Sequence, residues 1–322
     1  MKINSSKIAR EAIEKYQNII IFHHIRPDGD CLGSQFGLAE LIRDNYPDKK
    51  VYCVGNNYNS FEFMDFKFDK FEDIDFSNSL AIVNDASSGD RIEEAQLLYE
   101  NKTTAKLRID HHPNDSDIKY DYLWVDSSYV AAAEMIAKLA YDSKWKVSQR
   151  ASSFIYLGIN TDSGRFLYPA TSRRTYNLVS FLMKNKFHPS FILKNLSKRS
   201  LKGLKFTGHL LSNFQKDGRV LYYYASQETQ KQFDLNSYEI AMFVNELANI
   251  EDNLIWVLFI ELENKKVRGR LRSSGPQVNL IAKEFNGGGH ENASGITLDS
   301  IDEIPKVLAK LNAEILKYEN GN

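Results

Sequence analysis

Ile21-Phe22-His23-His24-Ile25-Arg26-Pro27-Asp28-Gly29-Asp30-Cys31-Leu32-Gly33-Ser34 decides how the chain folds. Just upstream, Asn18-Ile19-Ile20-Ile21-Phe22 is short, apolar and β-branched, the pattern of a buried strand. Pro27 and Gly29 stop that strand, and Leu32 to Ile42 carry apolar residues at helical spacing. His24, Asp28 and Asp30 therefore fall in the turn between a strand and a helix. In an open α/β sheet that turn lies on the rim where ligands bind. Two carboxylates and an imidazole so closely spaced form part of a cage for a hard divalent cation. Taken alone, the same residues also suit a polar loop with a helix-capping aspartate.

At 322 residues the chain exceeds the usual size of one domain, so two are expected. An apolar content of 43% with 12% aromatics suffices for packed cores. The net charge of −1 provides no basic field for capturing long nucleic acid. Two cysteines, Cys31 and Cys53, make no disulfide framework and fit a reducing compartment. The N-terminus leads into a charged amphipathic helix (Ile8, Ala12, Ile13, Tyr16) without a signal-peptide core, and no run reaches the roughly 18 apolar residues of a membrane span. A soluble cytoplasmic protein is expected.

Working outward, Leu38 to Tyr46 continue the helix and Val51-Tyr52-Cys53-Val54 reads as a strand. Residues 61–76 alternate phenylalanine with charge, the composition of a solvated connection whose aromatic rings turn inward. Leu80-Ala81-Ile82-Val83 is another buried strand, ending beside Asp85. A helix over Ile92 to Tyr99 follows, and Ala105 to Ile109 lead into Asp110-His111-His112. Adjacent histidines point in different directions, which divides them into one metal ligand and one neighbour free for substrate. Helices are expected over 129–141 and over Ala151 to Ile159, with Asp162 in a glycine-bounded loop after the second.

His24, Asp28, Asp30, Asp85, His111 and Asp162 thus make six hard or borderline donors, the first five at strand ends on one rim. With one carboxylate shared, six ligands suit two octahedral ions about 3.5–4 Å apart. Mixed imidazole and carboxylate donors favour Mn²⁺, with Mg²⁺ or Co²⁺ as substitutes. Two such ions activate water and clamp a phosphoryl group during in-line displacement.

Residues 171–196 read as helices, and Lys198 to Gly203 have the composition of a linker. Beyond it strands appear at Val220 to Tyr224, Leu254 to Ile260 and Val267 to Arg272, with helices over Tyr238 to Ile250 and Val278 to Phe285. Asn286-Gly287-Gly288-Gly289-His290 follows, a turn whose backbone N–H groups can receive an anion. Arg268, Arg270 and Arg272 share one face of a strand. They suit either a charged, aggregation-resistant edge or, for Arg272 beside the glycines, phosphate binding.

The ordered motifs His24-Ile25-Arg26-Pro27-Asp28-Gly29-Asp30, Asp85, Asp110-His111-His112 and Gly158-Ile159-Asn160-Thr161-Asp162-Ser163-Gly164-Arg165-Phe166 resemble those of the DHH phosphoesterases. Arg272-Ser273 and Gly287-Gly288-Gly289-His290-Glu291-Asn292-Ala293-Ser294-Gly295 resemble the signature of the DHHA1 domain. The likeness spans nearly the whole chain and is to the smaller DHH plus DHHA1 proteins of nanoRNase type. It implies an α/β fold: a DHH catalytic domain over 1–190 with a mainly parallel sheet flanked by helices, a linker over 191–205, a smaller α/β DHHA1 domain over 206–322, and an active site in the cleft between domains. It implies that His24 and Asp28 hold one manganese, that Asp30, His111 and Asp162 hold the other, and that Asp85 bridges. His112 is then left for the scissile phosphate or leaving oxygen, with Asp110 orienting a neighbouring histidine. Arg272, Ser273, Gly287, Gly288, Gly289 and His290 would bind substrate. Cys31 stands where the family usually has alanine, and Ala86 and Ser163 where threonine is common, none of them expected to touch a ligand.

The implied activity is hydrolysis of short oligoribonucleotides to mononucleotides and removal of the 3′-phosphate of pAp. Cleavage of cyclic di-AMP or its linear product pApA needs the same metals and nearly the same pocket. An inactive nucleotide-sensing module is the alternative of another class, opposed by the complete donor set. The expected partners are short RNA or small nucleotides, with no membrane and no long nucleic acid. A homodimer remains open.

Overall fold

The first sheet is built from β1 (Lys2–Ile3), β2 (Asn18–Phe22), β3 (Lys50–Cys53), β4 (Ser79–Asn84), β5 (Ala105–Asp110) and β6 (Tyr122–Val125). All its pairings are parallel, in the order β1-β6-β5-β4-β2-β3. This computed structural model describes residues 2–3 and 5–321. Every residue of β2, β4 and β5 is buried, as expected for a parallel sheet covered on both faces.

The helices of this region are α1 (Ser6–Lys15), α2 (Gly29–Asn45), α3 (Gln96–Tyr99), α4 (Ala132–Ser143), α5 (Gln149–Asp162), α6 (Arg173–Met183) and α7 (Pro189–Leu196). Ile19 and Ile21 pack with α1, α2, α4 and α5, whereas Ile20 and Phe22 face a smaller cluster containing Ile92, Leu97 and Leu98. The chain passes from β2 to β3 on one side and returns to β4 on the other. The order therefore reverses between β2 and β4, where the carboxyl ends of open sheets receive ligands. Helices α2 and α5 pack closely because glycines stand at their crossing. A Cβ on Gly33 would come within 2.5 Å of the Phe154 carbonyl oxygen, and one on Gly158 within 2.5 Å of the Ala133 Cβ and 2.9 Å of Asp30 Oδ1.

The chain divides into two units after Ser197. Residues 191–196 and 201–205, expected as linker, belong to α7 and to the next helix, α8 (Leu201–Asn213). The second unit has β7 (Gln215–Asp217), β8 (Val220–Ala225), β9 (Ile255–Glu261), β10 (Val267–Ser273), β11 (Gly288–His290) and β12 (Ala293–Leu298) in the order β11-β12-β10-β9-β8-β7. Its remaining helices are α9 (Gln227–Gln232), α10 (Ser237–Ala241), α11 (Val278–Glu284) and α12 (Ile304–Gly321). One face of the sheet packs Val257, Phe259 and Leu271 on Ile281 and Leu311, and the other packs Leu221, Tyr223 and Leu258 on Phe206 and Leu210. No described helix is long and apolar enough to cross a membrane.

Several elements differ from expectation. Of Ile92 to Tyr99 only Gln96–Tyr99 is α-helical, and Ile92 instead forms a β-bridge to His24. Tyr238 to Ile250 is short α10 followed by a 3₁₀ segment, Met242–Leu247. Asp162 is the last residue of α5 rather than part of a loop; the Thr161 hydroxyl bonds back to the Leu157 and Gly158 carbonyls, and Gly164, at φ 57°, turns the chain just beyond. Of the Phe-rich connection, Phe61, Phe63, Phe66 and Phe68 pack against the core as expected, while Phe71 is exposed. Strand β10 is interior, lying between β9 and β12, so its arginines guard no edge.

Candidate metal centre

The Asp28 side chain closes the β2–α2 turn by accepting from the Asp30 and Cys31 backbone N–H groups, each at 3.0 Å. It is thereby the N-cap of α2, and this local role leaves Oδ2 facing His24 Nε2 at 3.5 Å. Capping and clustering are thus combined in one residue. Asp30, in the first turn of α2, reaches across to α4. Its Oδ2 accepts from Ala132 N at 2.6 Å and its Oδ1 from Ala133 N at 2.8 Å. The N-cap position of α4 is Ala131, which has no capping side chain, so a carboxylate from another helix supplies the cap.

Asp85 follows β4 directly, with φ 57°, and presents a buried carboxylate to three imidazoles. Its Oδ2 lies 3.6 Å from His24 Nε2, and its Oδ1 lies 3.3 Å from both His111 Nε2 and His112 Nδ1. His111 Nε2 is also 3.4 Å from Asp162 Oδ2 and 3.8 Å from Asp30 Oδ2. The six expected donors are therefore gathered at the sheet's reversal point, five from the turns after β2, β4 and β5 and one from the end of α5. Three groups have donor atoms within 4.8 Å of one another, the last two sharing His111: His24, Asp28 and Cys31; Asp85, His111 and His112; Asp30, His111 and Asp162.

The residues fit divalent cations in two further respects. His24 Nδ1 lies 2.9 Å from the Ile25 carbonyl oxygen and His111 Nδ1 lies 3.2 Å from that of Tyr129. A carbonyl only accepts, so each Nδ1 carries a hydrogen, and Nε2 is the atom that the neutral ring would offer to a cation. The carboxylates also repel one another. Burial and the neighbouring Asp85 and Asp162 charges push Asp30 well above the usual carboxylate range. Burial likewise raises Asp162 to about 7, with His111 opposing and Asp85 and Asp28 adding. Asp85 moves the other way: burial would raise it, but His111, His112 and His24 together hold it well below its ordinary value. Asp85 Oδ1 is buried yet makes no hydrogen bond of good geometry. Crowded carboxylates and a buried acceptor without a donor are what a bound cation relieves.

His112 is anchored differently. Its Nδ1 lies 2.8 Å from Asp110 Oδ1, which also accepts from the His112 backbone N–H at 2.9 Å. Burial disfavours the charged imidazole, but Asp110 and Asp85 outweigh it and raise His112 to about 9. Asp110 is itself buried and held by Arg108, which also donates to the carbonyls of Ala86, Asn114 and His112. Arg108 is a site residue that motif reading missed; its signal is a buried guanidinium two residues before Asp110 on the same strand. A second missed group surrounds Tyr129. Buried Glu134 accepts from Val130 N at 2.9 Å, from Thr175 Oγ1 at 2.9 Å and from Arg174 Nε at 3.1 Å, and the Arg174 guanidinium stacks 3.5 Å over the Tyr129 ring. This fixes the turn whose carbonyl orients His111.

The sequence places Cys31 clear of the ligands; in the structure its Sγ falls in one donor group. Burial pushes the thiol up to about 12, against the opposing His24 charge.

In the second unit, Arg272 is half-buried on β10 and donates from Nη1 to the Leu271 carbonyl at 2.9 Å. Ser273 Oγ donates to the Pro276 carbonyl at 2.5 Å and accepts from Asn292 Nδ2 at 2.9 Å, tying two loops together. Gly288 and Gly289 are paired with β12 in edge strand β11, where the sequence suggested a turn. A Cβ on Gly287 would come within 2.0 Å of the Gly295 carbonyl oxygen, and Gly289 has φ 139°, so glycine is required at both. The His290 side chain lies outside what the structure describes.

A model of the DHH family, N-terminal domain, matches residues 18–159, and one of the DHHA1 domain matches residues 217–317. Over 310 residues the chain is 43% identical to the bifunctional oligoribonuclease and PAP phosphatase NrnA of Mycoplasma genitalium, spanning 96% of this chain and 97% of that one. It is 35% identical over 312 residues to the protein of the same name from Bacillus subtilis, spanning 95% and 97%. The crystal structure of an exopolyphosphatase-related protein from Bacteroides fragilis superposes with a TM-score of 0.83 at 24% identity, covering 98% of this chain and 96% of that one.

Proposed function

The chain belongs to the DHH family of phosphoesterases and carries a DHHA1 domain, and from that premise we propose that it degrades short oligoribonucleotides to mononucleotides and removes the 3′-phosphate of pAp. The observation that carries this reading is the gathering of His24, Asp28, Asp30, Asp85, His111 and Asp162 around shared carboxylate contacts, in a chain alike along its length to relatives named for both activities.

His24 and Asp28 would hold one divalent ion, Asp30, His111 and Asp162 a second, and Asp85 would touch both. The mixed imidazole and carboxylate donors favour Mn²⁺. When bound, two such ions supply Lewis acidity and neutralise charge at the phosphoryl group. The chain's own residues orient the reaction. The Nδ1 hydrogens of His24 and His111, given to carbonyls, keep both Nε2 atoms aimed inward. Asp30 is kept in place by the α4 N-terminus. His112, charged near neutral pH, holds a proton that it can give to the leaving oxygen, and Asp110 with Arg108 keeps its ring aligned. Arg272 and His290 would bind a second phosphate or the terminal nucleotide.

A product time course on 5′-labelled RNA, from dinucleotides to long oligomers, tests the reading when run beside pAp and pApA with and without EDTA. Manganese-dependent release of mononucleotides from the short RNAs and of phosphate from pAp is expected. Turnover confined to pApA or long strands, or undiminished in EDTA, would reject it.

A further inference from the structure

Asp162 ends α5, and residues 163–172 lead from it to α6. The first of them fold back on the end of the helix. Arg165 N donates to the Asn160 carbonyl at 2.8 Å, Phe166 N to Ser163 Oγ at 3.0 Å and Tyr168 N to the Ser163 carbonyl at 3.0 Å. Gly164, Arg165 and Phe166 stand in succession at φ 57°, 59° and 67°. Non-glycine residues in the left-handed region are uncommon and persist only where their surroundings hold them. Phe166 packs against the core and stacks on Tyr176, with ring centroids 5.7 Å apart. Leu167 and Tyr168 instead turn outward and are 75% and 50% exposed. The Tyr168 ring rests on Gly164, where a Cβ would come within 2.5 Å of it. Gly164 is two residues beyond Asp162, whose Oδ2 is 3.4 Å from His111 Nε2. A half-open aromatic ring is thus held on a fixed backbone beside the candidate metal donors.

We propose that Tyr168 stacks on the base of the nucleotide whose phosphate is cleaved, with Leu167 extending the apolar surface under that base. The inference rests on the phosphoesterase reading above and adds to it a residue that recognises the base. Arg165 is exposed and makes no ion pair among the described residues, so the same segment offers a cation to the substrate's negative charge. An apolar protein surface seated on Leu167 and Tyr168 would instead cover that guanidinium without a counter-charge. Every base has a π-face, so stacking accepts any sequence and favours the bases that stack most strongly. One ring therefore serves both a short RNA of mixed sequence and the adenine of pAp.

The test is steady-state kinetics of the full-length protein with Mn²⁺ on pApA, on pUpU and on the 5′-phosphorylated dinucleotide that lacks both bases. Tyr168→Ala is expected to raise KM for pApA roughly tenfold, the scale of losing one stacked base, and KM for pUpU by less. KM for the abasic compound should stay at its wild-type value. Tyr168→Phe keeps the ring and should keep all three wild-type values. Should Tyr168→Ala fail to fold by circular dichroism, Tyr168→Leu serves in its place, with the same rise expected. Equal rises on pApA and the abasic compound, or no rise on either, would overturn the stacking role and leave the phosphoesterase standing. A rise for pApA as large in Tyr168→Phe as in Tyr168→Ala would overturn it too. Absence of metal-dependent turnover of every dinucleotide by the wild type would remove the phosphoesterase reading and the inference together.

Discussion

Arg108 and Asp110 stand two residues apart on one face of β5, and the guanidinium holds Asp110 Oδ2 from Nη2 at 2.5 Å and from Nε at 3.0 Å. Both side chains are buried. Asp110 is left with one oxygen, which takes the His112 ring and its backbone N–H together. The arrangement fixes the ring's orientation and favours its charged form.

The pH profile should show this. His112 is raised to about 9, so its proton is present below that pH and lost above it. Its contribution as an acid fades on the alkaline side. In Asp110→Asn the carboxylate that opposes burial is gone, so the alkaline limb of kcat should move to lower pH. Arg108→Met should shift it in the same direction by loosening Asp110. A pH–kcat series on the two variants, with metal content measured alongside, checks this. An unmoved limb would remove His112 from the proton inventory. His112→Ala should retain its metal and lose roughly 10²–10³-fold in kcat, the scale of one electrostatic donor.

Asp85 contacts His24 on one side and His111 on the other, so its loss should affect both positions. Metal analysis of Asp85→Ala is expected to show a deeper fall in stoichiometry than Asp162→Ala, whose carboxylate lies 3.4 Å from His111 Nε2. Equal falls in the two variants would argue against a shared carboxylate.

Glu134 ties stability to the same centre. Removing one partner of a buried ion pair costs about 3–5 kcal/mol, because the other charge is left uncompensated. Arg174 is 30% exposed, which places Glu134→Ala toward the low end, about 3 kcal/mol. The variant also frees the Tyr129–Val130 turn, which orients His111, and the start of α4, which holds Asp30. Denaturant unfolding and metal content should therefore change together. Reduced stability with full metal occupancy would confine Glu134 to a packing role.

The sequence was most legible where chemistry and secondary structure share residues. Asp28 is a helix cap and a donor, and it follows a strand whose β-branched run is unmistakable, so turn and cluster could be read at once. Arg108 was not legible because it precedes the Asp110-His111-His112 motif without belonging to it, and Glu134 because its partners Arg174 and Thr175 lie in another segment. Gly158 and Gly164 on either side of Asp162 predict a loop there. Only Gly164 ends the helix; Gly158 serves the close contact of α5 with Asp30 and Ala133, a requirement of packing rather than of local backbone. The glycines at 287–289 misled in the same way, since they form an edge strand pressed against Gly295 and Ser294.

In the proposed function Arg272 would bind the part of the substrate away from the cleaved bond. It lies on the half-buried face of β10 with Arg268 and Arg270, opposite Trp256 on β9 and Ala293 on β12. An interior strand needs no charge to prevent edge pairing, so protection against aggregation does not account for the row. A guanidinium offers forked donors that match a phosphate. If Arg272 binds a substrate's second phosphate, Arg272→Ala should lose the roughly 1.5–3 kcal/mol of a charge-assisted hydrogen bond. That loss should appear as a higher KM for pAp and for dinucleotides. Hydrolysis of bis-p-nitrophenyl phosphate, which has no second phosphate to hold, should be nearly unchanged. Steady-state kinetics on both substrates, with metal content held equal, separate the roles. Small and equal changes on the two would return Arg272 to the structure of the sheet.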